Sequence, residues 1–414
     1  MSIMNINTFR AFQSCNYRLF FAGQSISLMG TWMQRTAVYW VVYMQTHSAF
    51  MLGLNVFATQ FPSFVFSLIG GIVADRYDRY KVLLFTQILS MTQAIILTLV
   101  VAFTHYSVTE ILLLSTFLGV INAFDLPARQ SLVYLLVAKN EDLGNAIALN
   151  SSMVNLARLV GPALSGLVLE SLGASLCFML NALSFMAVIA SLSMMKLPSY
   201  VPPVTEQKLL GDLQEGLRYV RTSPYLFKLI VLLALISFCV LPYATLLPIV
   251  AKEVLNGNAL TYGYLISCVG IGALFGAARL ASLSSILYHQ KILYLATLLL
   301  GGSIVALSFC TVDLPAFVFA ALSGLGMMLH TTIVNTLLQT LSDVRMRGRV
   351  MSYYAMALFG MQPIGALLIG TISHRIGVEP TLLLQGLLAL CLALAFRSFL
   401  WKNVPEQAAD AKTL

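Results

Sequence analysis

Gly71-Ile-Val-Ala-Asp75-Arg76-Tyr-Asp78-Arg79-Tyr-Lys81 separates two long apolar runs, Phe50–Gly70 and Val82–Phe103. Two acids and three bases fill the gap, with no proline and no long polar loop. A turn this short keeps the ends of both runs together. Charge at this density lies outside the hydrocarbon of a membrane, and the excess of Lys and Arg marks the cytoplasmic side.

The rest of the chain supports that setting. Of 414 residues, 59% are hydrophobic and 10% are charged, against about 25% charged in soluble domains. A helix needs roughly 20 apolar residues to cross the bilayer core. Backbone groups in lipid must be satisfied internally, so only helices and closed barrels span it. The runs here lack strict two-residue alternation, which selects helices over a barrel. Twelve spans are expected, at 17–45, 50–74, 82–104, 109–136, 143–170, 174–195, 226–251, 260–282, 291–310, 314–340, 349–373 and 378–400. The fold class is therefore an all-α membrane protein.

The net charge of +8 would suit nucleic acid, but the bases sit in loops between spans rather than on one amphipathic face. Of the 24 bases, Arg35, Arg129 and Arg158 fall within spans, and Lys252 and Arg375 on the outer side. The other 19 lie at or near the inner side. That bias and an even number of spans put both termini in the cytoplasm. No cleavable leader precedes the first span, which is expected to serve as its own insertion signal. The six cysteines are scattered without a Cys-x-x-Cys pair, so neither a disulfide framework nor a metal site is expected. No phosphate-binding loop or catalytic constellation appears, so neither an enzyme nor a cofactor is expected, and any energy comes from a gradient or a partner.

The longest polar stretch, Lys196–Ser223, opens with Pro198, Pro202 and Pro203, which stop a helix. Leu209, Leu210, Leu213, Leu217, Tyr219 and Val220 then recur among Asp212, Glu215, Arg218 and Arg221, as in an amphipathic helix on the cytoplasmic surface. The expected organisation is a six-helix bundle over 1–196, a linker over 197–225 and a second six-helix bundle with a short polar tail over 226–414. Gly71 and Gly276, and Asp125 and His330, each lie 205 residues apart, which reads as a repeat. Two parallel six-helix halves with a substrate site at their interface is a transporter plan.

Asp125 is the acid deep inside a span, where a charge costs a few kcal/mol and needs a partner. Arg129, four residues on, shares its helical face. Two readings stand side by side: a proton-coupling acid, or a structural pair that satisfies itself. His330 is the second proton-coupling candidate, because histidine titrates near neutrality; a hydrogen-bonded packing residue is the alternative. Gln34, Arg35, Arg129, Arg158, Asn335, Gln339 and Gln362 are the substrate-cavity candidates. Arg35 suits an anionic substrate or a gate, and a partnership with an acid or carbonyls is the other reading. Gln362-Pro363-x-Gly365 and the Gly272/Gly276 spacing read as packing and bending devices.

Several stretches resemble the major facilitator superfamily. Its loop between helices 2 and 3 carries Gly-x-x-x-Asp-Arg-x-Gly-Arg-Arg/Lys. Gly71, Asp75, Arg76 and Arg79 match it; Asp78 replaces the second glycine, and Tyr80 displaces the last base to Lys81. The resemblance implies a cytoplasmic latch there, with Asp343, Arg345, Arg347 and Arg349 available to meet it; a solvated loop that only sets topology is the other reading of both stretches. Exporters of the superfamily carry Gly-x-x-x-Gly-Pro-x-x-Gly-Gly in helix 5, which Ala157, Gly161, Pro162, Ser165 and Gly166 resemble with two small-for-glycine departures. Ala123–Gln130, Asn145–Asn150 and Arg347–Ser352 are similar to the branch of bacterial siderophore and drug exporters that includes the enterobactin exporter. The resemblance covers residues 10 to 400.

It implies a monomeric secondary transporter in the bacterial inner membrane, surrounded by lipid. Such a protein exports a siderophore-like or amphiphilic drug-like small molecule by proton antiport with alternating access. A lysophospholipid flippase, a small-molecule importer and a non-transporting scaffold or sensor are the competing readings.

Overall fold

The computed structural model describes residues 6–137, 139–197, 209–281 and 289–400. Pro198, Pro202, Pro203 and the polar tail Asn403–Leu414 lie outside the described residues, as do the side chains of Leu209, Leu210, Asp212 and Leu213. Helices α1 (Cys15–Thr46), α2 (Ala49–Arg76), α3 (Arg79–Phe103), α4 (Val108–Leu136), α5 (Leu143–Leu172) and α6 (Ala174–Ser193) come first. The amphipathic helix is α7 (Leu209–Thr222). Then follow α8 (Pro224–Cys239), α9 (Leu247–Ile249), α10 (Ala259–Ala281), α11 (His289–Leu307), α12 (Asp313–Leu341), α13 (Arg347–Ala355), α14 (Met361–Ile376), α15 (Val378–Ala395) and α16 (Arg397–Leu400).

Eleven helical stretches of the described residues are long and apolar enough to cross a membrane. α1 has the length, at 32 residues, but Gln24, Gln34, Arg35 and Gln45 dilute its apolar content. With α1 the protein is the twelve-helix membrane fold that the hydropathy pattern predicts.

Three spans depart from the single α-helices expected, and proline is the reason in two of them. The stretch 226–251 begins as α8, passes through a 3-10 segment at Leu241–Leu246 and the short α9, and ends in a π turn at Val250–Val254. Pro242 and Pro248 each remove a backbone donor and crowd the carbonyl four residues earlier. In 349–373, a π turn at Met356–Gly360 separates α13 from α14 just before Pro363, absorbing the same crowding as a local bulge. The last span, 378–400, is divided at Phe396 into α15 and α16.

Packing divides the chain into two units. One gathers the described residues of Met1–His47, Ala58–Thr205 and Asn258–Gly263; the other those of Ser48–Phe57, Glu206–Gly257 and Tyr264–Leu414. In the first, α1 packs against α5 and α6, and α3 against α4 and α6. In the second, α11 packs between α12 and α15, and α14 lies on α8.

Close helix contacts in both units rest on glycine. A Cβ at Gly119 would stand 2.3 Å from the Thr59 carbonyl oxygen, and one at Gly324 would stand 2.0 Å from that of Val269. These glycines lie 205 residues apart, matching the repeat spacing. The hairpin joints repeat as well. Gly173 (φ 85°, ψ 173°) joins α5 to α6 as a single residue, and Gly377 (φ 91°, ψ 168°) joins α14 to α15. That backbone region is essentially closed to any residue with a side chain.

Gly173→Ala should therefore cost about 1–3 kcal/mol. Gly302→Ala, in α11 with open space around the added carbon, should be neutral or stabilising by about 1 kcal/mol. Thermal unfolding of the two variants in detergent checks this; equal midpoints would contradict the strain at the joint.

Candidate functional site

The charged loop is tighter than a loop. α2 ends at Arg76 and α3 begins at Arg79, leaving Tyr77 and Asp78 as the turn. Asp78, the departure from the family pattern, is the N-cap of α3: its carboxylate accepts the Tyr80 backbone N–H at 3.0 Å. That satisfies one of the free donors at the helix start. Asp75 and Arg79 lie 4.0 Å apart, and Arg79 Nε donates to the Ala74 carbonyl at 3.3 Å. Arg76 is exposed. Gly71 has open space where a Cβ would stand, so packing among the described residues does not demand a glycine there.

Asp125 is 4% exposed on α4. Its Oδ1 accepts Gln87 Nε2 at 2.6 Å and lies 2.9 Å from Thr86 Oγ1, whose single proton also has the Leu83 carbonyl at 2.8 Å, and its Oδ2 faces an Arg129 guanidinium nitrogen at 3.1 Å. Three polar side chains thus stand against one carboxylate. Thr86 and Gln87 went unassigned in the sequence; their only signal is a polar pair in an apolar span.

His330 on α12 is fully buried. Thr297 Oγ1 donates to the Leu293 carbonyl at 2.7 Å and lies 2.9 Å from His330 Nδ1. With the hydroxyl proton so committed, the Thr297 oxygen accepts, and the assigned tautomer carries its proton on Nδ1. Nε2 is buried without a partner.

The two proton candidates therefore differ: the Asp125 carboxylate has three polar side chains against it, and the His330 ring has one.

The cavity candidates separate. Gln34 is 3% exposed and spends its amide inside the bundle, donating to Gln93 Oε1 at 2.9 Å and accepting from Asn181 Nδ2 at 2.8 Å. Gln93 in turn donates to the Leu114 carbonyl at 3.3 Å. The chain ties α1, α3, α4 and α6 together. Gln339 donates to Asn335 Oδ1 at 2.6 Å one turn earlier on α12. Gln362 stands partly buried in the first turn of α14, before Pro363.

Arg35 and Arg158 converge on Trp32. Their guanidinium carbons lie 5.1 and 5.3 Å from its ring centroid, and Arg35 is also 5.8 Å from the Tyr39 ring. Arg35 Nε donates to Tyr39 Oη at 3.3 Å. Neither arginine pairs with an acid among the described residues. A central arginine costs about 2.5–3.5 kcal/mol on insertion scales, and stacking on an aromatic face returns about 0.5–2 kcal/mol.

The helix-5 stretch explains how Arg158 reaches α1. Gly161 backs onto the Trp32 Cβ, where an added carbon would come within 2.5 Å. Ser165, one of the small-for-glycine departures, donates to the Met33 carbonyl at 3.0 Å. Ala157 is buried against Leu28 and Met153. Gly166 faces the start of α10, where an added carbon would lie 2.9 Å from the Ala259 carbonyl. Pro162 sits inside continuous α5.

The loop before α13 docks the amphipathic helix. Arg349 pairs with Glu215 at 2.8 Å, and Tyr219 Oη accepts the Asp343 backbone N–H at 3.0 Å. Arg345 N–H donates to Asp343 Oδ1 at 3.1 Å.

Residues 6–413 match the family described as transmembrane secretion effector. The chain belongs to that family, within the major facilitator superfamily. Members similar to this chain include a staphyloferrin A transporter of Staphylococcus aureus (strain NCTC 8325 / PS 47), 25% identical, the alignment covering 92% of this chain and 95% of the relative. A macrolide efflux protein A of Streptococcus pyogenes is 25% identical over 90% and 93% of the two chains. An enterobactin exporter of Shigella flexneri is 27% identical over 94% of each. Among solved structures, a bacterial homolog of the human lysosomal transporter Spinster superposes with a TM-score of 0.71 at 14% identity, covering 94% of this chain and 99% of that one. The superfamily is one of transporters, and its helical fold is the one described above.

Gln34→Leu should leave Gln93 Oε1 without a donor and Asn181 Nδ2 without an acceptor inside the bundle. Each orphaned group costs about 1–3 kcal/mol. Thermal unfolding should fall accordingly, and a variant as stable as the parent would remove the network from the account of unit packing.

Proposed function

We propose that the protein is a secondary active exporter of a small molecule across the bacterial inner membrane, working by proton antiport with alternating access. The observation that carries the reading is the end-to-end match to relatives named as siderophore and drug exporters, over 90% or more of this chain. The Lys/Arg bias supports both termini in the cytoplasm. The short turn at Asp75–Arg79 serves as the cytoplasmic latch, so Asp75→Asn should lower transport while leaving insertion intact.

Asp125 is the coupling acid. It lies inside α4, with Thr86, Gln87 and Arg129 against its carboxylate. Movement of α3 along α4 would withdraw two of these side chains together and open the carboxylate to a proton. Substrate leaving outward and a proton entering then use one rearrangement. His330, with its bare Nε2 in the second half, is the reserve site.

Inverted vesicles carrying Asp125→Asn should bind substrate and exchange it downhill, but lose accumulation driven by an imposed pH gradient. Gradient-driven accumulation at the parental level would make Asp125 structural and pass the role to His330.

A further inference from the structure

Resting on the exporter reading, we infer that Arg35 and Arg158, both held against the Trp32 ring, form a binding site for an oxyanion of the transported molecule, a carboxylate in the first instance. Three observations meet here. Both guanidiniums lie within 5.3 Å of one indole ring. Like charges held this close repel, and neither guanidinium pairs with an acid among the described residues; Arg35 Nε donates to the Tyr39 phenol at 3.3 Å. Arg158 Nε is buried with no hydrogen-bond partner. A pair of partly buried cations with a buried donor to spare, and no acid among the described residues to answer it, is an incomplete arrangement. An anion completes it.

Depth separates substrate from lipid. Arg158 is 14 residues from Leu172 and 15 from Leu143 along α5, or about 21 Å from either end at 1.5 Å per residue. Arg35 is 11 residues from the end of α1, about 17 Å at the same rise. Lipid headgroups sit at the ends of spans, not at this level. The planar guanidinium fork matches the two oxygens of a carboxylate or a phosphate. Trp32 and Tyr39 add an aromatic wall beside the charge, which fits a substrate with an apolar body. Lysine in either position would keep the charge and lose the fork.

The test uses the full chain in zwitterionic phosphatidylcholine nanodiscs, with citrate as the carboxylate probe, inorganic phosphate as the second oxyanion and tetraethylammonium as the cation. Citrate should bind saturably by calorimetry and quench indole fluorescence, and the quench should vanish in Trp32→Phe. Arg35→Gln and Arg158→Gln should each weaken citrate at least tenfold, while Arg35→Lys and Arg158→Lys recover part of the loss. Phosphate binding more tightly than citrate would keep the oxyanion site and replace carboxylate by phosphate as its group. Absence of any citrate or phosphate response in the parent protein overturns the inference whatever the variants do, as does an equal response to tetraethylammonium or unchanged affinity in both glutamine variants. Loss of citrate binding when phosphatidylglycerol is added to the nanodiscs would assign the arginines to lipid and overturn it too. Citrate binding without gradient-driven transport of any probe in inverted vesicles would sink the exporter reading and leave the anion site standing. Transport of a neutral drug without oxyanion binding would do the reverse.

Discussion

A backbone carbonyl in hydrocarbon has no water to turn to, and much of the helix packing follows from that. Each proline within a helix strips the donor from the carbonyl four residues before it. At three of them that carbonyl meets a glycine of a neighbouring helix. Pro62 frees Ala58, whose oxygen would lie 3.3 Å from a Cβ at Gly119. Pro127 frees Ala123, which would lie 1.9 Å from one at Gly70. Pro242 frees Phe238, which would lie 2.0 Å from one at Gly365. Glycine admits the neighbouring backbone to the place where the helix is short of a bond, and weak Cα–H···O contacts take part of the deficit. Proline and glycine therefore work as pairs across helices.

Polar side chains obey the same rule with different partners. Gln34, Gln93 and Asn181 satisfy one another across the first bundle, and Asp125 draws donors from a second helix. Trp32 is the exception that gives the site its character. Two cations share its ring, and among the described residues no carboxylate pairs with either.

Hydropathy placed the spans because a helix crossing lipid must be apolar along about 20 residues whatever it packs against. All but one of the expected span ends lie within three residues of the ends of the helical stretches; the exception is the end of the last span, where Phe396 separates α15 from α16. Partner choice was not legible in the same way. Asp125 and Arg129 announced each other by their spacing, but Thr86 and Gln87 stand 39 and 38 residues away. Asp78 looked like a departure from the family loop, and its role as a helix cap appears only when α3 is seen to start one residue later. Arg349 read as a residue available to the cytoplasmic latch, and the fold pairs it with Glu215 on α7. In each case the residue type carried the chemistry and the tertiary fold chose the neighbour.

The single-glycine joints have a mechanical meaning. α5 and α6 share one residue of connection, as do α14 and α15, and in both the torsion is one that no other residue type adopts comfortably. Such a joint has no slack. α5 cannot slide along its axis without dragging α6, so each pair behaves as a stiff hairpin whose two arms share one displacement. Arg158 and the carbonyl-facing glycines of α5 ride on one such arm, and Asn181, bonded to Gln34 on α1, rides on the other. A shift that begins at the arginine is thereby delivered to α1 twice, once through direct contact and once through the return arm.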